Sequence, residues 1–272
     1  MNIFTVVLTQ PLTNGLVLFY KLLGGNLGLA IIGFSLFLRI ILNPLTKPYM
    51  ESMKKMKDLG PQLNKLKKKY KGDKIKYAQA QADFYKEKGI NPSAGCLPYL
   101  LQIVVLIAFF NVFTITMSKG DLTQNFNKLL YEPLKFSQSQ QINTKFLYLD
   151  MSKPDVIQIP GINFGFPGPV LILAAIVQFL SAKVMAPYVK EEEKEAKKTK
   201  GDSDDFQVAM QQSMIYTFPL FTLIIGLRFV SGLALYWLIF SASQMYQQVM
   251  TQGWGGLTPW LYKLKLVNST NK

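Results

Sequence analysis

Histidine is absent from this 272-residue chain, and cysteine occurs once, at Cys96. A single thiol excludes a disulfide framework, and without imidazole a Cys/His metal site or a His-dependent triad is untenable. No GxxxxGK[ST] phosphate loop is present. The chain therefore reads as a non-enzyme that needs no cofactor or metal. Acid is scarce too: 16 Asp and Glu stand against 30 Lys and Arg, for a net charge of +14. With 49% hydrophobic residues and a mean hydropathy of +0.17, that balance points to a membrane protein with basic cytosolic loops before it points to a nucleic-acid binder.

Long apolar runs are what the chain has instead. Five stretches, 24–46, 97–117, 169–189, 208–227 and 232–250, suit the ~20 residues of a bilayer-crossing helix. Residues 1–23 lack the basic n-region of a cleavable signal and are read as retained, with Pro11 to Leu23 as a short interfacial helix. Residues 47–96 form a helical hairpin with helices near 49–70 and 74–88, broken at Lys71-Gly72-Asp73. Its methionines at 50, 53 and 56 fall at helical spacing, either as a seam between the helices or as a surface that adapts to apolar peptides. The segment 118–168 is a long loop, 190–207 a charged loop and 251–272 a basic tail.

Thirteen lysines and five acids lie in 47–91, against five lysines and four acids in 118–168. The positive-inside rule then puts the hairpin, the charged loop and the tail in the cytoplasm, and the N-terminus and 118–168 outside. The expectation is an all-α multi-pass protein of the plasma membrane, with five transmembrane helices, a cytoplasmic hairpin and an outer interfacial helix.

Polar residues inside the apolar stretches mark the candidate site. Ser35, Arg39 and Asn43 follow at i, i+4 on one face of the first span. Trp237, Ser241, Gln244 and Gln248 share a face of the fifth, and Gln102 and Gln178 add amides from the second and third. Such groups can hydrogen-bond between helices, or they can line a hydrated groove open to the cytoplasm. No Asp or Glu occurs in any of the five stretches, which disfavours an ion-coupled transporter or channel and leaves the counter-charge for Arg39 to come from elsewhere, such as a passing acidic segment.

Four motifs carry a resemblance. They are Leu38-Arg39 through Pro44-Leu45-Thr46; the basic hairpin; Asn91-Pro92-Ser93-Ala94-Gly95-Cys96-Leu97-Pro98; and Ser231-Gly232-Leu233-Ala234-Leu235-Tyr236-Trp237. In this order, over about 24–118 and 169–250, the chain resembles a short bacterial member of the YidC/Oxa/Alb membrane-protein insertases. The resemblance implies insertion and folding of nascent membrane proteins through a hydrophilic groove, with Arg39 attracting acidic substrate tails and Ser35, Gln178 and Trp237 at matching groove positions. It implies the ribosome and the Sec translocon as partners beside membrane lipids, and a form without a large periplasmic domain. Val230 stands where the family often has proline, and 118–168 has no match. A small-solute transporter or channel is the alternative reading, and a chaperone that packs already inserted helices is a third. The hairpin's aromatics form no base-reading motif, so specific nucleic-acid recognition is not expected.

Overall fold

Two glycines and an asparagine set the first corner of the fold. Gly24 and Gly25 adopt positive φ (74° and 69°), ending α1 (Gln10–Leu22) with a bond from Gly25 N to the Tyr20 carbonyl at 2.8 Å. Asn26 then starts α2 (Leu27–Asp58) by accepting from Leu29 N at 3.1 Å. The computed structural model describes residues 2–70, 72–89, 97–117, 120–161, 164–185 and 204–265. The Asn91 to Cys96 entry, the charged loop over 190–203 and the tail beyond Lys265 lie outside them, as do the side chains of Met53 and Met56.

The remaining helices are α3 (Gly60–Lys69), α4 (Lys74–Glu87), α5 (Leu97–Thr116), α6 (Leu122–Asn127), α7 (Pro169–Met185), α8 (Asp204–Gly226), α9 (Ser231–Gln252) and α10 (Thr258–Lys263). The chain is thus mainly helical, and α2, α5, α7, α8 and α9 lie on the five apolar stretches. Among the described residues one helical segment, Leu27–Pro48, is long and apolar enough to cross a membrane, with a mean hydropathy of 1.8; Ile103–Thr116, Pro169–Val184 and Ile215–Gly226 are apolar but shorter. The break expected after Thr46 is absent. Helix α2 runs on through Pro44 and Pro48 into the basic segment, so the first arm of the hairpin continues the apolar helix.

Two compact units divide the chain. The first comprises Met1–Ile41, Leu101–Phe179 and Thr217–Gln244; the second comprises Leu42–Leu100, Leu180–Tyr216 and Met245–Lys272. In the second, Asp73 caps α4 by accepting from Lys76 N at 3.0 Å, which holds its carboxyl below the usual range. Met50 and Tyr85 are buried there, while the described lysine side chains of 47–88 stay at least partly solvated.

In the first unit, α1 buries Leu16, Val17 and Tyr20 in a core with Ala30, Ile31 and Phe34 of α2, Phe109, Val112 and Phe113 of α5, and Leu233, Tyr236 and Phe240 of α9. A Cβ on Gly15 would lie 2.5 Å from the Phe34 ring, so glycine lets α1 and α2 approach closely. Lipid tails are as apolar as leucine, so such close packing holds helices together where the hydrophobic effect between them is weak.

The segment 120–168 also folds into this unit. It forms α6 and two short antiparallel hairpins, β1 (Lys145–Phe146) with β2 (Leu149–Asp150), and β3 (Val156–Gln158) with β4 (Gly165–Pro167). Its polar groups meet the starts of three helices. Asn143 O accepts from Leu27 N at 3.1 Å, and Lys145 O from Asn26 Nδ2 at 3.0 Å, at the head of α2. At α7, the buried Asp155 carboxylate accepts from Leu171 N at 2.8 Å and Tyr148 Oη from Val170 N at 3.0 Å. At α9, Lys153 O accepts from Ser231 N at 2.6 Å, Met151 O from Gly232 N at 3.2 Å and Asp150 O from Ser231 Oγ at 2.8 Å. The bonds from Leu27, Val170, Leu171, Ser231 and Gly232 N each satisfy a backbone donor that a helix start otherwise leaves without an intrahelical partner.

Asp150 organises this last junction. Its Oδ1 accepts from Thr144 Oγ1 at 2.8 Å and Ser152 Oγ at 2.6 Å, and its Oδ2 lies 3.2 Å from Lys145 Nζ. Partial burial alone would raise its carboxyl, but the hydrogen bonds from Ser152, Thr144 and Lys145 outweigh it and hold the group far below the ordinary range. A depressed carboxyl contributes stability above its unfolded pKa of about 3.9 and loses it as pH falls toward the folded value. Asp150→Asn is therefore expected to cost about 1–2 kcal/mol at pH 7. The difference should shrink steadily as the pH is lowered below about 4, as followed by thermal unfolding in detergent across pH.

Candidate functional site

Arg39 lies on α2 within the apolar run and is partly buried. Its guanidinium carbon sits 5.0 Å from the centre of the Phe240 ring on α9, within cation–π range. Phe240 leads into a chain of rings: Tyr236 at 5.8 Å, then Phe109 of α5 stacked on Tyr236 at 4.1 Å, then Phe34 of α2 at 6.0 Å. Rings on three helices thus support the surface against which the arginine rests. Because the guanidinium is planar and weakly hydrated, it can lie against such an aromatic surface.

The other predicted residues divide by what their polar groups already hold. Ser35 is buried and its hydroxyl donates to the Ile31 carbonyl at 2.5 Å, one turn back along the same helix. Gln178 is buried in α7 and accepts from Thr222 Oγ1 of α8 at 2.7 Å. Gln248 is buried in α9 and accepts from Ser181 Oγ of α7 at 3.0 Å. Tyr236, Trp237 and Ser241 are buried, and Gln244 is partly so. Asn43 is exposed on α2, and its side-chain oxygen accepts from Gln247 Nε2 of α9; Thr46 Oγ1 accepts from the same nitrogen at 3.5 Å. The side chain of Gln102 lies outside the described residues.

The face of α9 that meets α2 is thus the row of Phe240 and Gln247, one position round the helix from the row of Trp237, Ser241 and Gln248. Spacing alone identifies a polar face, but it leaves open which neighbour that face turns to. Gln247 was missed for this reason, since it falls on neither stripe. Thr222 was missed because a lone threonine in an apolar helix usually bonds back to its own backbone. The signal that could have found it is the need of buried Gln178 for a donor at its own depth.

A family model described as 60Kd inner membrane protein matches residues 18–255. The chain is 31% identical over 231 residues to a protein of Fusobacterium nucleatum named membrane protein insertase YidC, covering 84% of this chain and 88% of that one. It is 31% identical over 253 residues to a protein of the same name from Prosthecochloris aestuarii, covering 88% of this chain and 36% of that one. A third, from Treponema denticola, is 30% identical over 256 residues, covering 91% of this chain and 38% of that one. The chain thus spans most of the first relative and little more than a third of the other two.

Interhelical bonds of the Gln178–Thr222 kind are expected to contribute about 0.6 kcal/mol, and up to about 1.7, in a membrane interior. Gln178→Leu and Thr222→Val should each lower the unfolding temperature, and a double-mutant cycle should return a coupling of that size. A coupling near zero would show that the two helices are held by packing alone.

Proposed function

Because the chain belongs to the 60Kd inner membrane protein family, that of the YidC/Oxa/Alb insertases, we propose that it inserts nascent membrane proteins into the bacterial plasma membrane and assists their folding. In this reading α2, α5, α7, α8 and α9 cross the bilayer, with the N-terminus outside and the C-terminus in the cytoplasm. The first unit supports the alternation, since it gathers the starts of α2, α7 and α9 with the ends of α5 and α8. Charge supports the orientation: the lysine-rich hairpin belongs to the second unit and the near-neutral 118–168 segment to the first.

Arg39 carries the proposal. It is a fixed cation within an apolar helix, partly accessible and held against an aromatic ring. A substrate whose short flank bears Asp or Glu is attracted to it by about 4 kcal/mol at 4 Å, for an effective dielectric of about 20. Ser35, Gln102, Gln178, Tyr236, Trp237, Ser241 and Gln244 contribute to the polar lining and its aromatic wall, and Asn43 continues the α2 row by one turn. Burial of the substrate's own apolar helix, at about 25 cal/mol per Å², supplies the driving force and removes any need for nucleotide. The hairpin of α3 and α4 receives substrate from the ribosome or the Sec translocon.

The test is reconstitution in liposomes with a short single-span substrate, made with and without acidic residues in its translocated tail and scored by protease protection. Both substrates are expected to be protected above empty liposomes. Arg39→Ala should reduce the acidic substrate by about tenfold or less, in line with a loss of about 1 kcal/mol after solvent screening, and should affect the neutral one less. Equal loss for both would remove the electrostatic role, and no protection above empty liposomes would overturn autonomous insertion.

A further inference from the structure

The two β-hairpins of segment 120–168 show apolar side chains to the outside where polar ones would be expected. At the tip of β1–β2, Leu147 is 82% exposed and its φ is +53°. Branched side chains avoid that left-handed conformation, and glycine or asparagine usually fills it. A leucine kept there, strained and unburied, implies that its side chain has a use outside the fold. On the second hairpin Ile157 pairs in register with Phe166, and the two are 48% and 37% exposed; Phe164, edge-on to Phe166 at 5.1 Å, is 53% exposed.

From Pro154 to Gly168 the sequence holds one charged residue, Asp155, and it is buried beneath the start of α7. The neighbouring Tyr148 fixes the level of this face. Its ring is exposed, while its hydroxyl accepts from Val170 N at 3.0 Å and donates to Asp155 Oδ1 at 3.2 Å. The tip that carries Leu147 is thus tied to the first turn of an apolar helix. Gly168 and Pro169 follow β4 directly, so the exposed side chains of the second hairpin are followed along the chain by the exposed Ile172 and Ile176 of α7. Lys145 and Lys153 border the face and are mostly exposed beside Asp150, where phosphate groups can meet them.

We propose that Leu147, Ile157, Phe164 and Phe166 form an anchor that enters the boundary between headgroups and acyl chains of the outer leaflet. This rests on the reading that α7 crosses the bilayer. An uncharged aromatic and aliphatic face at the end of a span, flanked by lysines, is the chemistry that such a boundary takes up. The anchor would fix the tilt and depth of α7 from outside, through the Tyr148 and Asp155 bonds to its first turn.

The test uses the full chain in a Cys96→Ser background, labelled with an environment-sensitive fluorophore at single cysteines and reconstituted into phosphatidylcholine and phosphatidylglycerol vesicles. Lipids bearing a nitroxide at a shallow acyl position act as quencher. Leu147→Cys and Phe166→Cys are expected to be quenched at least about threefold more than Ser139→Cys, which lies on the exposed polar part of the same segment. Ile172→Cys serves as the reference for α7. If it is quenched and the two hairpin positions are not, the anchor is overturned and the membrane reading stands. If Ile172→Cys is not quenched either, the membrane reading falls and the anchor falls with it. Shielding of the hairpin positions from a water-soluble quencher without quenching by lipid would assign the face to a protein contact, and would also overturn the proposal. In a second variant, Leu147→Gly should hold or raise the unfolding temperature by relieving the backbone, while lowering lipid quenching at Phe166→Cys. A fall in unfolding temperature with unchanged quenching would make Leu147 merely structural.

Discussion

A helix begins with backbone N–H groups that its own turns cannot satisfy, and near a bilayer few waters can take their place. Much of this fold's first unit follows from how that need is met. The heads of α2, α7 and α9 find acceptors in one segment, from Asn143 and Lys145, from Tyr148 and Asp155, and from Asp150, Met151 and Lys153. Strands of two or three residues would be marginal by themselves. Here the segment is held by its bonds to helix heads, and by Met151, which is fully buried in the core.

The polar side chains within the apolar helices fall into two groups by what they contact. Gln178 with Thr222, and Gln248 with Ser181, face each other across helix pairs, each glutamine accepting there through its amide oxygen. Asn43 and Gln247 also pair, nearer the lysine-rich end. Such bonds fix which helices are neighbours and at what register. Arg39 differs in kind, because it is a cation, and its contact is with the face of the Phe240 ring rather than with a polar side chain.

What could be read from the sequence followed from periodicity and charge. Apolar runs located α2, α5, α7, α8 and α9, and the Ser35–Arg39 spacing placed both residues on one face. Four things were hidden. The continuation of α2 to Asp58 was masked by a change from apolar to basic side chains and by Pro44 and Pro48, signals that ordinarily end a helix. The row of α9 that meets α2 was one residue away from the expected stripe, because the azimuth of a helix depends on partners that its own sequence does not name. The fold of 120–168 was invisible because it is written mainly in backbone carbonyls. These belong to every residue type, and its strands are too short to show alternation. The candidate arginine was legible and its aromatic seat was not, since Phe240 is one apolar residue among many in its helix.

The bonds between segment 120–168 and the helix heads also impose a birth order on the protein. Asn26 waits for a carbonyl made 119 residues later, whereas Ser231 meets one made 81 residues earlier. The first long helix must therefore emerge and settle while its head is still open to water or lipid headgroups. The last is delivered onto a platform that is already complete. A protein assigned to shepherd unfinished membrane helices passes through the same vulnerable stage during its own synthesis, and it ends that stage itself when residues 143–155 have left the ribosome and closed over the first helix.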